Sequence, residues 1–64
     1  MATQVHQKRY DALDTGADAT EAEVRGWAAA EFGVEPSAVK VRWVSAWPAV
    51  DGVREVTLEA TVEV

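Results

Sequence analysis

The segment Glu55-Val-Thr-Leu-Glu-Ala-Thr-Val-Glu-Val64 alternates polar and apolar residues without a break. Successive side chains of a β-strand point to opposite faces, so this pattern is typical of a strand with one face in the core and one in water. The residues predicted to point inward are Val56, Leu58, Ala60, Val62 and Val64. Because this is the clearest pattern in the chain, the other segments are placed relative to it.

A second strand is predicted over residues 39–47, where Lys40 and Arg42 point outward. Its predicted inward residues are Val39, Val41, Trp43 and Trp47. The residues between the two strands, 48–52, end in Asp51-Gly52, which is a strong turn signal. The two strands therefore form an antiparallel hairpin.

Two criteria select the register of this hairpin: the sheet face to which each side chain points, and the charges of opposed residues. Directly opposed residues share a face of the sheet. The register that pairs Trp43 with Leu58 also places Arg42 opposite Glu59, and opposite charges on facing strands are favourable. The same register places Trp47 opposite Arg54, and we adopt it as the prediction.

A helix is predicted between the first segment and this hairpin. Thr20 and Glu23 fit a capping box at its start, and Gly33 followed by Pro36 fits its end. The predicted core stripe is Val24, Trp27, Ala28 and Phe32, with Trp27 meeting Trp43 in the core. The opposite side carries small residues, which fit either a docking face or an ordinary exposed surface: Ala22, Gly26, Ala29 and Ala30.

Residues 4–12 are predicted to form a first, weaker strand, with Tyr10 and Ala12 pointing inward. The element order is then β-α-β-β, and a right-handed crossover makes the first two strands parallel. The third strand lies between them, antiparallel to both, which sets its glutamates beside the basic residues of the outer strands. We therefore predict a single α+β domain over residues 1–64, a three-stranded sheet with one helix packed on one face.

Size and charge narrow the classes of function. A chain of 64 residues buries a small core, and with no cysteine it has neither disulfides nor a thiolate metal site to reinforce it. Small domains without such reinforcement often gain stability by associating, so a homodimer or a protein partner is expected. The net charge of −5 disfavours nucleic acid and anionic membranes as partners.

The sequence also gives expectations about location and origin. The N-terminus has no apolar stretch resembling a signal peptide, and a cytoplasmic protein is expected. Ala and Val are abundant while Ile and Asn are absent, as in proteins from GC-rich genomes. A bacterial or phage protein is therefore expected, with a salt-adapted archaeon as the alternative source.

The run Leu13-Asp14-Thr15-Gly16-Ala17-Asp18 resembles the active-site loop of retroviral-type aspartic proteases. The resemblance covers six residues and implies a dimer in which Asp14 and its twin share a proton. The same residues fit a strand-to-helix turn, in which Asp14 and Gly16 supply the turn chemistry. The remaining glycines do not form a flap, and no nucleophile, base and orienting group occur together. We therefore predict no catalytic residue, no metal and no cofactor.

The apolar hairpin turn is the leading candidate for a functional surface. Trp47 precedes Pro48, and Val50 lies where a turn normally has polar residues. Because tryptophan is frequent in binding hot spots, we predict that these three residues contact a protein, with Arg42 and Val44 as second candidates. The alternative for Trp47 is that it closes the core over the end of the helix.

The leading function from sequence is thus a non-catalytic protein–protein interaction module that self-associates. One alternative is an acidic protein that occupies the basic site of a nucleic-acid-binding partner. The other is a dimeric aspartic protease acting through Asp14.

Overall fold

The structure, a computed structural model, describes residues 4–63. Strand β1 spans Val5–Leu13, helix α1 Ala17–Phe32, a 3₁₀ helix Pro36–Ala38, strand β2 Lys40–Ala46 and strand β3 Glu55–Glu63. The strands form one sheet in the order β1-β3-β2, and β3 is antiparallel to both neighbours. The predicted α+β fold, with the third strand central and one helix on the sheet, is confirmed.

The central strand supplies the floor of the core, as its alternation predicts. Val56, Leu58, Ala60 and Val62 are buried beneath α1. Val64, also predicted to point inward, lies outside the described residues. Burial of each valine and of Leu58 contributes about 1.5–3 kcal/mol relative to an exposed side chain, and Ala60 contributes less, so this strand is the largest single contributor to the core.

Strand β1 lies in the predicted orientation. Tyr10 is opposite Leu58 and Ala12 is opposite Val56, so both share the face that α1 covers. Ala12 is buried and Tyr10 is half-buried. On the other face, Arg9 is opposite Glu59.

The helix begins earlier than its sequence signal predicts. It starts at Ala17, after Gly16 with φ 117°, and Thr20 is a fully buried residue inside it. The Thr20 hydroxyl accepts the backbone N–H of Thr15 at 3.0 Å. The predicted capping box is wrong, because the Thr20 side chain bonds back to the preceding turn and not to the N–H of Glu23.

The end of the helix agrees with the sequence. Gly33 adopts a left-handed conformation, with φ 69° and ψ 38°, and its N–H donates to the carbonyl of Ala29. That conformation is strained for any residue with a Cβ, so glycine fits this position. Pro36 then begins the 3₁₀ helix that leads into β2.

The buried side of α1 is rotated from the predicted stripe. Its buried residues are Thr20, Val24, Ala28 and Ala29. Ala29 was predicted to lie on the outer face, whereas Trp27, predicted to lie in the core, is 41% exposed. The Trp27 ring instead packs against Tyr10, with centroids 6.2 Å apart, on the β1 side of the helix.

The two tryptophans expected to meet in the core are separate. Trp43 is half-buried against the cluster that contains Val24 and Leu58. Its indole N–H donates to the Glu21 carboxylate at 2.7 Å, which ties β2 to the helix. The predicted contact between Trp27 and Trp43 is wrong, because Trp27 packs against Tyr10 of β1 while Trp43 belongs to β2, on the other side of the central strand.

The β2–β3 hairpin keeps the predicted register for only half its length. Trp43 pairs with Leu58 and Arg42 with Glu59, as predicted. A β-bulge follows between Trp43 and Ser45, and Val44 is the extra residue. A bulge shifts the pairing by one residue and therefore exchanges the faces of everything beyond it.

The bulge determines where Trp47 points. Beyond it, Ala46 pairs with Val56, and the Trp47 N–H donates to the carbonyl of Glu55 at 2.9 Å. The predicted pairing of Trp47 with Arg54 is therefore wrong. Because Ala46 now shares the helix-covered face with Val56, Trp47 lies on the opposite face of the sheet, and its predicted inward orientation is also wrong.

Candidate protein-contact site

The hairpin between β2 and β3 extends past the sheet and ends in a two-residue turn. Val50 and Val53 exchange backbone hydrogen bonds of 2.8 and 3.0 Å. Asp51 and Gly52 between them have φ values of 53° and 78°. Positive φ at both central residues is the type I′ geometry, for which Asp-Gly is a preferred pair. The turn predicted from Asp51-Gly52 is therefore present and forms the end of a projecting arm.

This arm, residues 47–53, is called the hairpin tip, and its apolar side chains are exposed. Trp47 is 56% exposed, Val50 69% and Val53 48%, with Pro48 exposed between them. The molecule measures 49 × 17 × 15 Å. Nine residues of β3 span only about 30 Å, so the hairpin tip lengthens the molecule at one end. The alternative in which Trp47 closes the core is wrong.

The sheet face opposite α1, called the open face, continues the apolar surface of the hairpin tip. Leu13 of β1 lies opposite Glu55 of β3. On the β2 side of β3, the Trp47 N–H donates to the Glu55 carbonyl. Leu13 and Trp47 therefore flank Glu55 in one row across the sheet. Leu13 is 56% exposed. Sequence reasoning missed Leu13 because its strand was predicted to end at Ala12, and it missed Val53 because the turn was predicted to end at Gly52.

Farther along the open face, one carboxylate is held between two arginines. Arg42 Nε lies 3.1 Å from Glu59 Oε1, and Arg9 Nε lies 3.5 Å from Glu59 Oε2. The hydrogen bond from Arg42 is the largest influence on the pKa of the Glu59 carboxyl and lowers it from its ordinary value of 4.5. Desolvation opposes this, and the charge of Arg42 and the hydrogen bond from Arg9 lower the pKa further. The predicted charge match between outer and central strands is present at this position.

The predicted contact residues thus fall into two places. Trp47, Pro48 and Val50 lie together in the hairpin tip, whereas Arg42 is exposed farther along the open face and is engaged with Glu59. Val44 is the extra residue of the bulge and is half-buried. The hairpin tip is therefore the more coherent part of the predicted site.

The loop that resembles a protease active site is a turn between β1 and α1. The Asp14 carboxylate accepts the N–H of Gly16 at 3.0 Å, and the Asp14 N–H donates to the carbonyl of Arg54 at 2.8 Å. The next residues enter the helix at Ala17. The turn chemistry predicted from Asp14 and Gly16 is present.

An open groove of about 320 Å³ lies between the end of β1 and α1. Its lining includes Asp11, Leu13, Glu23 and Trp27. Nearby, the Tyr10 hydroxyl is buried without a hydrogen-bond partner among residues 4–63. The groove was not predicted from sequence, because Trp27, one of its lining residues, was expected in the core.

Within residues 4–63, no three histidine, cysteine, aspartate or glutamate side chains lie close enough to hold a metal ion. No helix there combines the length and apolar character needed to cross a membrane.

Comparison with known proteins assigns neither a family nor a function to this site. No protein-family model matches the chain, and no curated protein or solved structure is significantly similar to it. The candidate site therefore depends on the physical character of its surfaces.

Proposed function

We propose that this protein is a non-catalytic interaction module that binds another protein through its hairpin tip. The observation that supports the proposal is the exposure of Trp47, Val50 and Val53 on an arm that projects from the sheet. An apolar arm gains little from folding on its own, since its side chains stay in water. Burial in a partner would stabilise the complex by about 25 cal/mol for each Å² of apolar surface covered.

The architecture of the hairpin tip suits recognition. The type I′ turn and the mutual hydrogen bonds of Val50 and Val53 fix the backbone, so little conformational entropy is lost on binding. Trp47 and Pro48 add rigid side chains at its base. A rigid arm with a tryptophan anchor has the composition of a binding hot spot.

The alternative function, an acidic protein that occupies the basic site of a nucleic-acid-binding partner, predicts a different response to salt. A net charge of −5 would favour contacts with a basic site, and such contacts weaken strongly as salt screens them. Apolar contacts at the hairpin tip would keep most of their affinity in salt. The two hypotheses therefore predict opposite salt responses.

The test is a quantitative capture experiment with three baits: the wild type, Trp47→Ala and the control Val5→Ala. Val5 is also an exposed apolar residue, but it lies opposite Glu63, at the end of β1 farthest from the hairpin tip. We expect Trp47→Ala to weaken retention of a partner by at least about tenfold, as for a hot-spot tryptophan, with Val5→Ala near the wild type. Equal retention by Trp47→Ala and the wild type would refute the proposal, and loss at moderate salt would favour the acidic-protein hypothesis.

A further inference from the structure

Among residues 4–63, no strand pairs with the outer hydrogen-bonding edge of β1. Strand β1 lies at one side of the sheet, and its nine residues carry no bulge. The Asp14 N–H donates across to Arg54, so even-numbered residues of β1 direct their backbone groups toward β3. The odd-numbered ones direct theirs away from the sheet. Such an edge is a template for another strand.

The opposite edge of the sheet is protected in a way that β1 is not. Strand β2 is shorter, with seven residues, and it contains the bulge at Val44. Short strands and bulges are the features that discourage edge pairing. Of the two edges, β1 is therefore the one suited to pairing.

We propose that two copies of this chain pair through β1, antiparallel, about a two-fold axis that passes through Tyr10. The charges of β1 select this register. It places Arg9 opposite the partner's Asp11 twice, once on each side of the axis. Moving the axis to Arg9 would oppose two arginines, and moving it to Asp11 would oppose two aspartates, which is unfavourable.

The facing of the side chains allows the same register. Opposed residues must share a face, and both Arg9 and Asp11 lie on the open face, opposite Glu59 and Thr57 of β3 respectively. Both also direct their backbone groups outward, so each pairs with its counterpart through two hydrogen bonds. Gln7 and the partner's Leu13 form the next such pair, which gives about eight backbone hydrogen bonds in all.

The helix layer also favours this arrangement. An axis perpendicular to the sheet places both copies of α1 on the same side of a six-stranded sheet. Trp27, 41% exposed and packed beside Tyr10 with its ring tilted 45° to that of Tyr10, would then lie at the seam between the two helices. The second copy would cover apolar surface that a monomer leaves in water, and a core this small gains from that.

The pairing makes a prediction about the assembly. Each copy of the hairpin tip would point to an opposite end of the dimer, so the proposed interaction module would be bivalent. This consequence rests on the proposed function, whereas the pairing of β1 does not, since no residue of the hairpin tip takes part.

The first test measures mass by sedimentation equilibrium over a range of concentrations, with circular dichroism to verify folding. We expect the wild type to be a dimer and both Arg9→Asp and Asp11→Arg to weaken it at least about tenfold, because two attractive pairs become repulsive. The double variant Arg9→Asp/Asp11→Arg should recover the dimer. Arg42→Asp is the matched control, since Arg42 bonds to the same Glu59 from β2 and should leave the dimer intact.

A second measurement fixes the register independently of charge. The chain has no cysteine, so Gln7→Cys and Leu13→Cys can be made singly and mixed under oxidising conditions. We expect a disulfide-linked heterodimer, because facing pairs of this kind have Cα atoms about 5.5 Å apart, within disulfide reach.

A monomeric wild type, failure of the double variant to recover the dimer, or no cross-link between the two cysteine variants would overturn the inference. Dissociation by Trp47→Ser would also overturn it and would assign self-association to the hairpin tip. The proposed binding of a partner by the hairpin tip is unaffected by the first three results, so the two proposals fail separately.

Discussion

Thr20 gives the sharpest test of how the chain enters its helix. It is fully buried, and its hydroxyl accepts the Thr15 N–H at 3.0 Å and lies 3.5 Å from the carbonyl of Leu13. Valine has the same shape but no hydroxyl, so Thr20→Val removes these bonds without leaving a cavity. Loss of one partner in a part-buried hydrogen bond costs about 1–2 kcal/mol. In a domain of this size each kcal/mol lowers the melting temperature by about 4–8 °C.

Two further variants separate this role from a helix cap. Aspartate is a preferred capping residue, so a cap at Thr20 would tolerate Thr20→Asp, and Glu23→Ala would break the capping box at a cost of about 1 kcal/mol. The structure predicts the reverse. Thr20→Asp places a charge at a fully buried position and should be the most destabilising of the three, whereas Glu23 is exposed and its loss should be nearly neutral.

The assay is urea unfolding at pH 7, followed by tryptophan fluorescence and circular dichroism at a fixed protein concentration. The expected order of stability is wild type and Glu23→Ala together, then Thr20→Val, then Thr20→Asp. If Thr20→Asp matched the wild type while Glu23→Ala lost about 1 kcal/mol, the helix would begin at Thr20 and the described entry would be wrong.

Three other predictions concern backbone, charge and burial. Gly26→Ala should raise the unfolding free energy by about 0.5–1 kcal/mol, since it lies inside α1 with open space for a Cβ. Gly52→Ala should lower it by about 1 kcal/mol, because φ is 78° there, and urea unfolding of both variants measures the contrast. The pKa of Glu59 is lowered in the folded state, so Glu59 stabilises the fold above pH 4.5. This stabilisation is lost as the pH falls from 4.5 through the lowered pKa. Midpoints of unfolding from pH 6 to 3 should therefore fall less steeply for Glu59→Gln than for the wild type. Tyr10→Phe should leave stability unchanged or raise it, since it removes a buried hydroxyl that lacks a partner within residues 4–63, and thermal unfolding with a loss above 1 kcal/mol would contradict this.

The sheet was largely predictable because its signals are local and consistent. The alternation in residues 55–63 places Leu58 and its neighbours in the core, and a single charge match between Arg42 and Glu59 selects the correct register before the bulge. Gly33 likewise marks the helix end, because its left-handed backbone suits a residue without a Cβ.

The bulge at Val44 was not predictable, and it decides the position of the candidate site. One extra residue in a strand leaves the sequence pattern intact while shifting every later pair. Regular alternation through Ser45 therefore puts Trp47 in the core, whereas the shifted pairing turns it to the open face. The apolar character of the turn still indicated the hairpin tip as a contact surface, since that argument does not depend on register.

The helix errors have a similar origin in tertiary packing. The spacing of Thr20 and Glu23 fits the capping-box motif, but the Thr20 hydroxyl accepts the backbone N–H of Thr15 in the preceding turn. Trp27 satisfies the helical period, yet the sheet beneath α1 extends only to β1, so the indole lies beside Tyr10 at the margin. The amphipathic pattern of the helix shows neither the hydrogen bond of Thr20 to the preceding turn nor the position of Trp27 relative to the sheet.

Photo-cross-linking records which surface of this protein touches another protein, and it therefore tests whether the hairpin tip is the contact surface. A photoreactive benzoylphenylalanine would replace Val50, which is 69% exposed, and in a control protein Ala22 on the exposed side of α1. We expect a discrete adduct of higher mass from position 50 and none from position 22. Adducts from position 22 with none from position 50 would show that the helix, and not the hairpin tip, is the contact surface.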